Sequence, residues 1–463
     1  MKISFLICCL IILAASKLTV YNPQKLKKKV DKENGGSIKF SIANFGHTPY
    51  GHSIIGNVWY SEEDKSGCEE LKMNITAEGD PDAYPSPIVL VERGNCTFVK
   101  KVRNVEHAGG SLAIIIDDKP GEMMDHIIMV DDGTGAGINI PSMLISTKDG
   151  ELLKNQLSLC KEEGTKSCVS LIATFDLPHP DDRVEYDFWY SSSSDQAIDF
   201  LVDFDRFNQK FKKDVLFTPR IVTWPCLNCD DEFKTNNCFG NGKYCAFNLE
   251  NPLNNGKEVL YENLREKCLY SKLKNQGKEQ DWWNYMHYVH ANCRHDINQD
   301  CSKNGIESIG VDFSSIDTCV EESFIGDDHG KSVNQILDIE NKDWNTNGPH
   351  IFPAIVINKV AYRGFLTPEN IFQAICEGFK NAPKECKSVR HNEEVPTNGI
   401  SIRTTIIVIA AILVCNLILL MLYRRYHKKE MQSEVKMAAH SAVSQYFAIR
   451  NSERELESQD LST

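Results

Sequence analysis

Two cysteines separated by two residues, Cys226 and Cys229, are the side chains best suited to covalent chemistry. Paired thiols at this spacing exchange disulfides when the pKa of one of them is depressed, and as thiolates they would also bind zinc. In a secreted chain, structural disulfides are the stronger expectation. We therefore predict that both are structural cystines, with partners among Cys238, Cys245, Cys268, Cys293, Cys301 and Cys319.

Two histidines, His287 and His290, lie close to Trp282 and Trp283 in a segment that reads as a helix. Residues three apart share one side of a helix, and histidine titrates in the range between about pH 5 and 8. Protonation of the pair would then loosen a bound partner in an acidic compartment. The alternative is that they are ordinary surface or packed residues.

The sequence lacks the common catalytic motifs. It contains no nucleophile elbow, HExxH zinc-protease motif, phosphate loop or pair of catalytic carboxylates. Its net charge of -13 is too acidic for a nucleic-acid binder. We expect neither an enzyme nor a metal or cofactor site.

The uncharged segment 404–423 is long enough to cross a hydrocarbon core as a helix. A basic cluster that begins at Arg424 follows it directly, and such a cluster marks the cytosolic end of a span. At the other terminus, Lys2 and an apolar run precede small residues, which predicts a signal peptide over 1–16. The sequence therefore predicts a single-pass type I membrane protein with a cytosolic tail over 424–463.

Cysteine usage agrees with this topology. Of the 17 cysteines, all but Cys8, Cys9 and Cys415 lie in the predicted lumenal part, and none lies in the tail. This even set, together with N-glycosylation sequons at Asn74 and Asn95, predicts disulfides formed in an oxidising compartment. The predicted disulfide cysteines are Cys68, Cys96, Cys160, Cys168, Cys226, Cys229, Cys238, Cys245, Cys268, Cys293, Cys301, Cys319, Cys376 and Cys386.

The predicted tail carries Tyr446, followed three places later by Ile449. In an extended peptide, such residues can enter two pockets of a clathrin adaptor while backbone hydrogen bonds hold the register. The alternative is an amphipathic tail helix in which the two side chains share a face. We favour the sorting signal. Asn416, inside the predicted span, could hydrogen-bond to a second copy, which leaves a homo-oligomer open.

Short apolar or alternating runs separated by Gly, Pro and Asp predict a first domain over 37–178. An amphipathic stretch over 98–108, closed by Gly109 and Gly110, predicts a helix between two of the strands. The domain is therefore a β-rich α/β unit. Its predicted strands are Ile38 to Phe45, Ile54 to Tyr60, Ile88 to Val91, Leu112 to Ile116, Ile140 to Ile145 and Val169 to Phe175.

A second domain, 184–387, opens with a strand, a helix and a strand, followed by a cysteine-rich helical insertion over about 230–325. Pro353 before a strand and hairpin, and then a last helix, resemble the second half of a thioredoxin-like domain, in which this proline is cis. Catalytic thiols in such a domain follow the first strand, where this chain has only Ser191 to Ser194. A polar stalk, 388–403, leads to the predicted span.

Several motifs carry a resemblance to known families. The segments at 88–98, 107–116 and 140–145 resemble a protease-associated domain. Motif 44–51 (Asn-Phe-Gly-His-Thr-Pro-Tyr-Gly) and motif 362–364 (Tyr-Arg-Gly) are similar to the plant-type vacuolar sorting receptors. Further segments of the same resemblance lie at 178–189, 217–219, 242–246, 262–265 and 281–283. Because the match runs in order through both domains, it is more specific than any single motif.

The resemblance implies a receptor that binds sorting peptides of soluble hydrolases or storage proteins. It would carry them from the Golgi or trans-Golgi network to a prevacuolar, vacuolar or lysosomal compartment. In that family the protease-associated domain holds cargo near an Arg-Gly turn, which is Arg93, Gly94 and Asn95 in this chain. An arginine offers a planar set of donors to carbonyls or a carboxylate, and Gly94 allows close backbone approach. The alternative is that Arg93 only pairs with a neighbouring aspartate.

Two departures from the family limit what the resemblance implies. Plant members carry epidermal-growth-factor-like repeats before the membrane, whereas only the stalk intervenes here, so calcium control of cargo binding does not carry over. A glycan on Asn95 would also shield Arg93, whereas a disulfide at Cys96, in the middle of the sequon, would leave the site unmodified. The competing hypothesis for the whole chain is a membrane-bound thiol oxidoreductase or folding factor built on the thioredoxin-like domain.

Overall fold

The computed structural model describes residues 16–386, except 73–74, 76–83, 85, 122–123, 125–126, 163–167, 179–182, 212, 247–255 and 295, together with Met421. The chain divides into two compact units, 1–388 and 389–463. Within the described residues, no helix is both long enough and apolar enough to cross a membrane. The predicted signal peptide, span and tail lie outside the described residues, apart from Ser16 and Met421.

The first domain is built on a seven-stranded mixed sheet. Its elements in chain order are β1 (Lys17–Asn22), α1 (Gln24–Asn34), β2 (Phe40–Ile42), β3 (Ser53–Trp59), β4 (Ile88–Glu92), α2 (Phe98–His107), β5 (Leu112–Ile116), β6 (Ser142–Ile145), α3 (Thr147–Glu162) and β7 (Ser170–Thr174). The strand order is β1-β7-β3-β4-β5-β6-β2, and the four strands from β3 to β6 run parallel. Because parallel strands are covered on both faces, β4 and β5 are almost entirely apolar and buried.

Helix α2 confirms the helix predicted between two strands. It begins at Phe98, where the side chain of Thr97 accepts a hydrogen bond from the N–H of Lys100 as an N-terminal cap. Its apolar face buries Val99, Val102 and Val105. The cap and the buried face together fix the position of α2, and thereby the position of segment 93–96, which directly precedes the capping residue.

The sheet begins earlier than residue 37, where the sequence analysis placed the first domain. Strand β1 pairs antiparallel with β7 at the edge of the sheet, and its Leu18 and Val20 are buried. Helix α1 follows and buries Leu26 and Val30. The partner strand of β1 is remote in sequence, so the short run 17–22 shows its role only in the folded sheet.

The second domain has a four-stranded sheet and a large helical insertion. Its elements are β8 (Val184–Tyr190), α4 (Asp195–Phe211), β9 (Val215–Ile221), α5 (Asp231–Asn237), β10 (Cys238–Phe239), β11 (Tyr244–Cys245), α6 (Gly256–Asn275), α7 (Glu279–Asn292), α8 (Gln299–Ser308), α9 (Phe313–Glu322), β12 (Phe324–Ile325), β13 (Val333–Asn334), α10 (Gln335–Asn347), β14 (Ala354–Ile357), β15 (Val360–Ala361) and α11 (Pro368–Glu377). Elements α5 to α10 lie between β9 and β14, and the predicted helical insertion, about 230–325, falls within this stretch.

The sheet order β15-β14-β8-β9, with β8 parallel to β9 and antiparallel to β14, gives the expected thioredoxin-like frame. The peptide bond between Phe352 and Pro353, just before β14, is cis as expected. Ser191 to Ser194 fill the turn between β8 and α4. Serines therefore occupy the place where a thiol oxidoreductase would carry its reactive pair.

The fourteen cysteines from Cys68 to Cys386 form seven disulfides. The pairs are Cys68–Cys96, Cys160–Cys168, Cys226–Cys229, Cys238–Cys245, Cys268–Cys319, Cys293–Cys301 and Cys376–Cys386. The expectation that Cys226 and Cys229 would find partners elsewhere was wrong, because a turn places their Cα atoms 5.4 Å apart and they bond to each other. Both are thus disulfide-bonded, and their purely structural role stays a prediction.

The two motifs that narrowed the family resemblance meet where the two domains pack. The backbone N–H of Arg363, in motif 362–364, donates to the Tyr50 hydroxyl of motif 44–51 over 2.9 Å. The rings of Tyr50 and Tyr362 lie 5.3 Å apart. The contacts between these two motifs thus form part of the interface between the two domains, which is called the joint below.

Candidate peptide-binding site

The turn 93–96 connects the end of β4 to the start of α2. Gly94 and Asn95 both have positive φ angles, of 97° and 68°, a conformation that glycine and asparagine tolerate best. Cys96 closes the turn through its disulfide to Cys68. Asn95 itself is exposed, so the turn presents its backbone to solvent in a conformation that the disulfide holds.

Arg93 neutralises a buried carboxylate at the base of this turn. Its Nη1 donates to Asp117 Oδ1 over 2.7 Å, and the Asp117 side chain is fully buried. Its Nε lies 3.6 Å from Asp118 Oδ1, and its guanidinium carbon lies 5.6 Å from the centre of the Phe98 ring. A quarter of the Arg93 side chain stays exposed. The pairing with aspartate that the sequence analysis held as the alternative is therefore present, and the guanidinium is only partly covered.

Lys101 stabilises the turn through hydrogen bonds from its amine, a role that the sequence analysis missed. Its side chain is fully buried, and its Nζ donates to Gly94 O over 2.6 Å, to Ser66 O, and to Cys68 Sγ over 3.4 Å. Burial lowers the pKa of this amine to about 8. The available signal was its place three residues after Phe98, in the apolar stripe of an amphipathic helix.

The loop 130–136 lies next to the turn 93–96 on one side and next to the second domain on the other. Asp132 on this loop has its pKa lowered by hydrogen bonds from the hydroxyls of Thr134 and then Thr97, which is the residue after the turn. A groove of about 420 Å³ lies between this loop and the segment before β14. Its walls include Val130 and Phe352, which are 52% and 42% exposed. The loop 130–136 therefore contacts the residue that follows the turn and also forms one wall of the groove.

The two predicted histidines of the pH switch both contact α4. His287 Nε2 lies 3.1 Å from Asp205 Oδ2, and His290 Nε2 lies 3.1 Å from Asp199 Oδ1. Arg294 also binds Asp199 through Nη1 at 2.7 Å. Both histidines therefore contribute to the packing of α7 on α4. Their role as a pH switch for partner release stays a hypothesis.

Two of the buried carboxyl groups of the second domain, those of Glu262 and Glu266, lie on α6, and the sequence analysis assigned a role to neither. Glu266, on α6, is 1% exposed, and its Oε2 accepts a hydrogen bond from the Tyr190 hydroxyl over 2.5 Å. Its Oε1 is buried and has no hydrogen-bond partner within the part of the chain that the structure describes. Burial, and then the charge of buried Glu262, raise the pKa of Glu266 well above its ordinary value. Burial therefore favours the protonated form of Glu266 in the folded state.

Several predicted sites lie outside the described residues, namely Asn74, Asn416, Tyr446 and Ile449. Among the residues that are described, no three or more His, Cys, Asp or Glu side chains are grouped to hold a metal ion.

Comparisons with known proteins identify both domains. Residues 184–376 match the family described as the vacuolar sorting receptor thioredoxin-like domain, and residues 54–153 match the PA domain. Vacuolar-sorting receptor 1 of Pisum sativum is 33% identical over 412 residues, and vacuolar-sorting receptor 4 of Arabidopsis thaliana is 31% identical over 414. Each alignment covers 83% of this chain and 63% of the relative, so the chain spans less than two thirds of these relatives.

The likeness to solved structures is much weaker. Mtb DsbA in its oxidised form aligns with 45% of this chain and 89% of its own, at 11% identity and a TM-score of 0.29, which is too low to support an argument. These sequence matches confirm the resemblance found in the motifs: the chain is similar to the vacuolar-sorting receptors over 83% of its length, and its match to their thioredoxin-like domain follows its match to the PA domain.

Proposed function

We propose that this protein is a cargo receptor that binds short sorting peptides of soluble lumenal proteins. It carries them from the Golgi or trans-Golgi network toward a prevacuolar, vacuolar or lysosomal compartment. The observation that supports this most directly is the match to vacuolar-sorting receptors across both domains. The turn 93–96 is the proposed peptide contact, with Arg93, Gly94 and Asn95 facing the cargo.

The geometry of the turn favours peptide binding. A disulfide, a buried lysine and an ion pair hold its backbone, so little conformational entropy would be lost when a peptide binds. The exposed edge of Arg93 can donate to a peptide carbonyl or carboxylate. The groove between the domains would take the side chains that follow along an extended peptide.

Replacing Arg93 should weaken peptide binding by about tenfold to a hundredfold, because a hydrogen bond to a charged group contributes about 1.5 to 3 kcal/mol. Arg93→Gln alone would remove the cation that pairs with the buried Asp117 carboxylate. The test variant is therefore Arg93→Gln/Asp117→Asn, and it is compared with Asp117→Asn as its parent. The measurement is capture of soluble secretory proteins by the immobilised full chain near neutral and at acidic pH. Binding of synthetic peptides from the captured proteins follows.

Two controls separate this receptor from the thiol oxidoreductase hypothesis. Arg183→Gln removes an exposed arginine that pairs with Glu185, and it should bind peptide as the parent does. The double variant Cys226→Ser/Cys229→Ser should also retain capture, whereas an oxidoreductase would lose its activity. Equal peptide affinity in Arg93→Gln/Asp117→Asn and Asp117→Asn would refute the proposed contact.

We further propose that the chain is a single-pass type I protein that cycles through Tyr446 and Ile449, which bind a clathrin adaptor. Tyr446→Ala should strand the protein at the cell surface or in a wrong compartment, because the aromatic ring that fills one adaptor pocket is gone. Fluorescence microscopy of the tagged full chain measures the distribution. Tyr426→Ala is the matched control, since Lys429 rather than an aliphatic residue lies three places after Tyr426. An unchanged distribution of Tyr446→Ala would exclude this signal.

A further inference from the structure

A second cavity, of about 700 Å³, lies at the joint between the two domains. Lys39, Ser41 and Tyr50 of the first domain line it, as does Arg363 of the second. Its volume is within the range of about 300 to 1,000 Å³ that small-molecule and peptide-end sites occupy. The cavity lies apart from the turn 93–96, because none of its lining residues belongs to that turn or to the loop 130–136.

Arg363, in the wall of this cavity, has no carboxylate partner among the residues that the structure describes, unlike several other arginines that are shielded from solvent. Its Nη2 donates to Pro349 O over 2.9 Å, but its Nη1 is buried and has no hydrogen-bond acceptor among the described residues. In contrast, Arg93, Arg220, Arg265 and Arg294 each bind a carboxylate. Burial lowers the pKa of Arg363, and only the Tyr50 hydroxyl acts in the other direction.

An unpaired cation in the interior is unfavourable by several kcal/mol unless a counter-ion lies beside it. Asp176 also lines the cavity, but no ion pair within 4.0 Å joins it to Arg363 among the described residues. The lining side chains Lys39 and Arg363 therefore leave a net positive charge. A second unsatisfied group, the buried Oγ of Ser41, lies in the same wall.

We propose that this cavity binds a carboxylate, with Arg363 as its counter-ion and Ser41 and Tyr50 as hydrogen-bonding partners. A guanidinium matches a carboxylate because it offers two parallel N–H donors. Since the walls come from both domains, the bound ligand would also stabilise the joint, where Phe365 N already donates to Gly46 O over 2.7 Å. This site does not depend on the proposed function of the turn 93–96.

The test is a thermal-shift titration of the full chain in detergent with three probes. They are acetate, a library of N-acetyl tripeptides with a free carboxyl group, and the same library with amidated ends. The acid library should raise the melting temperature in a saturable way and the amide library should not. A shift with the acid library but not with acetate assigns the carboxylate to a peptide end, and equal saturation with acetate assigns it to a small organic acid.

Variants locate the response in the cavity. Arg363→Met should weaken the response to the acid by at least about tenfold, while Arg183→Met should respond as the parent does. The response must persist in Arg93→Gln/Asp117→Asn, which separates this site from the proposed peptide contact. If Arg363→Met does not fold, Ser41→Ala serves instead, since it breaks no hydrogen bond of the free protein, and its affinity should fall. No saturable shift with either acid, or an unchanged response in the cavity variants, overturns the proposal.

Discussion

Glu266→Gln is expected to stabilise the protein at neutral pH, by up to about 3 kcal/mol in the free energy of unfolding at pH 7. The physical reason is proton linkage. Burial and the charge of Glu262 raise the pKa of Glu266 in the folded state, whereas the unfolded chain releases this proton near pH 4.5. A glutamine keeps an oxygen for the Tyr190 hydroxyl and carries no proton to lose.

The sign of the pH dependence follows from the raised pKa. Above pH 4.5 the unfolded state binds fewer protons than the folded state, so the stability of the parent falls as pH rises toward the folded pKa, with a slope of about 1.4 kcal/mol per pH unit. The advantage of Glu266→Gln should therefore be near zero at about pH 4.5 and grow with pH. Melting temperatures of the parent and the variant, measured from pH 4.5 to 8, test this.

Glu307→Gln is the matched control, because Glu307 is exposed on α8 and its stability change should stay within about 0.5 kcal/mol at every pH. A difference between the parent and Glu266→Gln that does not change with pH would show that the carboxyl group is ionised in both states. A variant less stable than the parent at pH 7 would contradict the predicted stabilisation.

Lys101→Met is expected to destabilise the first domain by about 2 to 4 kcal/mol, because it removes a charged donor from two partly buried carbonyl groups. Those groups are Ser66 O and Gly94 O, which both accept from the Lys101 amine. Methionine fills a similar apolar volume, so the loss reports the hydrogen bonds rather than a cavity. Urea unfolding followed by circular dichroism measures the stability.

Lys100→Met is the control for this prediction, since Lys100 is exposed on the same helix and should change stability by less than about 0.5 kcal/mol. If the turn 93–96 binds peptide, Lys101→Met should also weaken peptide capture, because the amine holds the Gly94 carbonyl in place. Equal stability of the two lysine variants would contradict the role of Lys101 as a brace.

Local sequence patterns were sufficient for much of the fold. The apolar runs of β4 and β5, the amphipathic face of α2 and the β8-α4-β9 opening were each recognised from contiguous residues, because hydrophobic periodicity reports burial over a few turns or one strand. Strand β1 was not recognised, since its pairing partner β7 lies about 150 residues away. The partner of Cys226 was misassigned because spacing alone does not fix disulfide connectivity.

The candidate sites divide in the same way. Residue types and short motifs were sufficient for the order of the two domains, the position of the turn at Arg93 and the family resemblance, because these are properties of neighbouring residues. Which groups surround those side chains depended on tertiary packing. It brings Asp117 to Arg93, Gly94 to Lys101, Tyr190 to Glu266, and Tyr50 to Arg363 from 313 residues away. Charge pairing and burial act between groups that are close in space, and that closeness exists only in the folded chain.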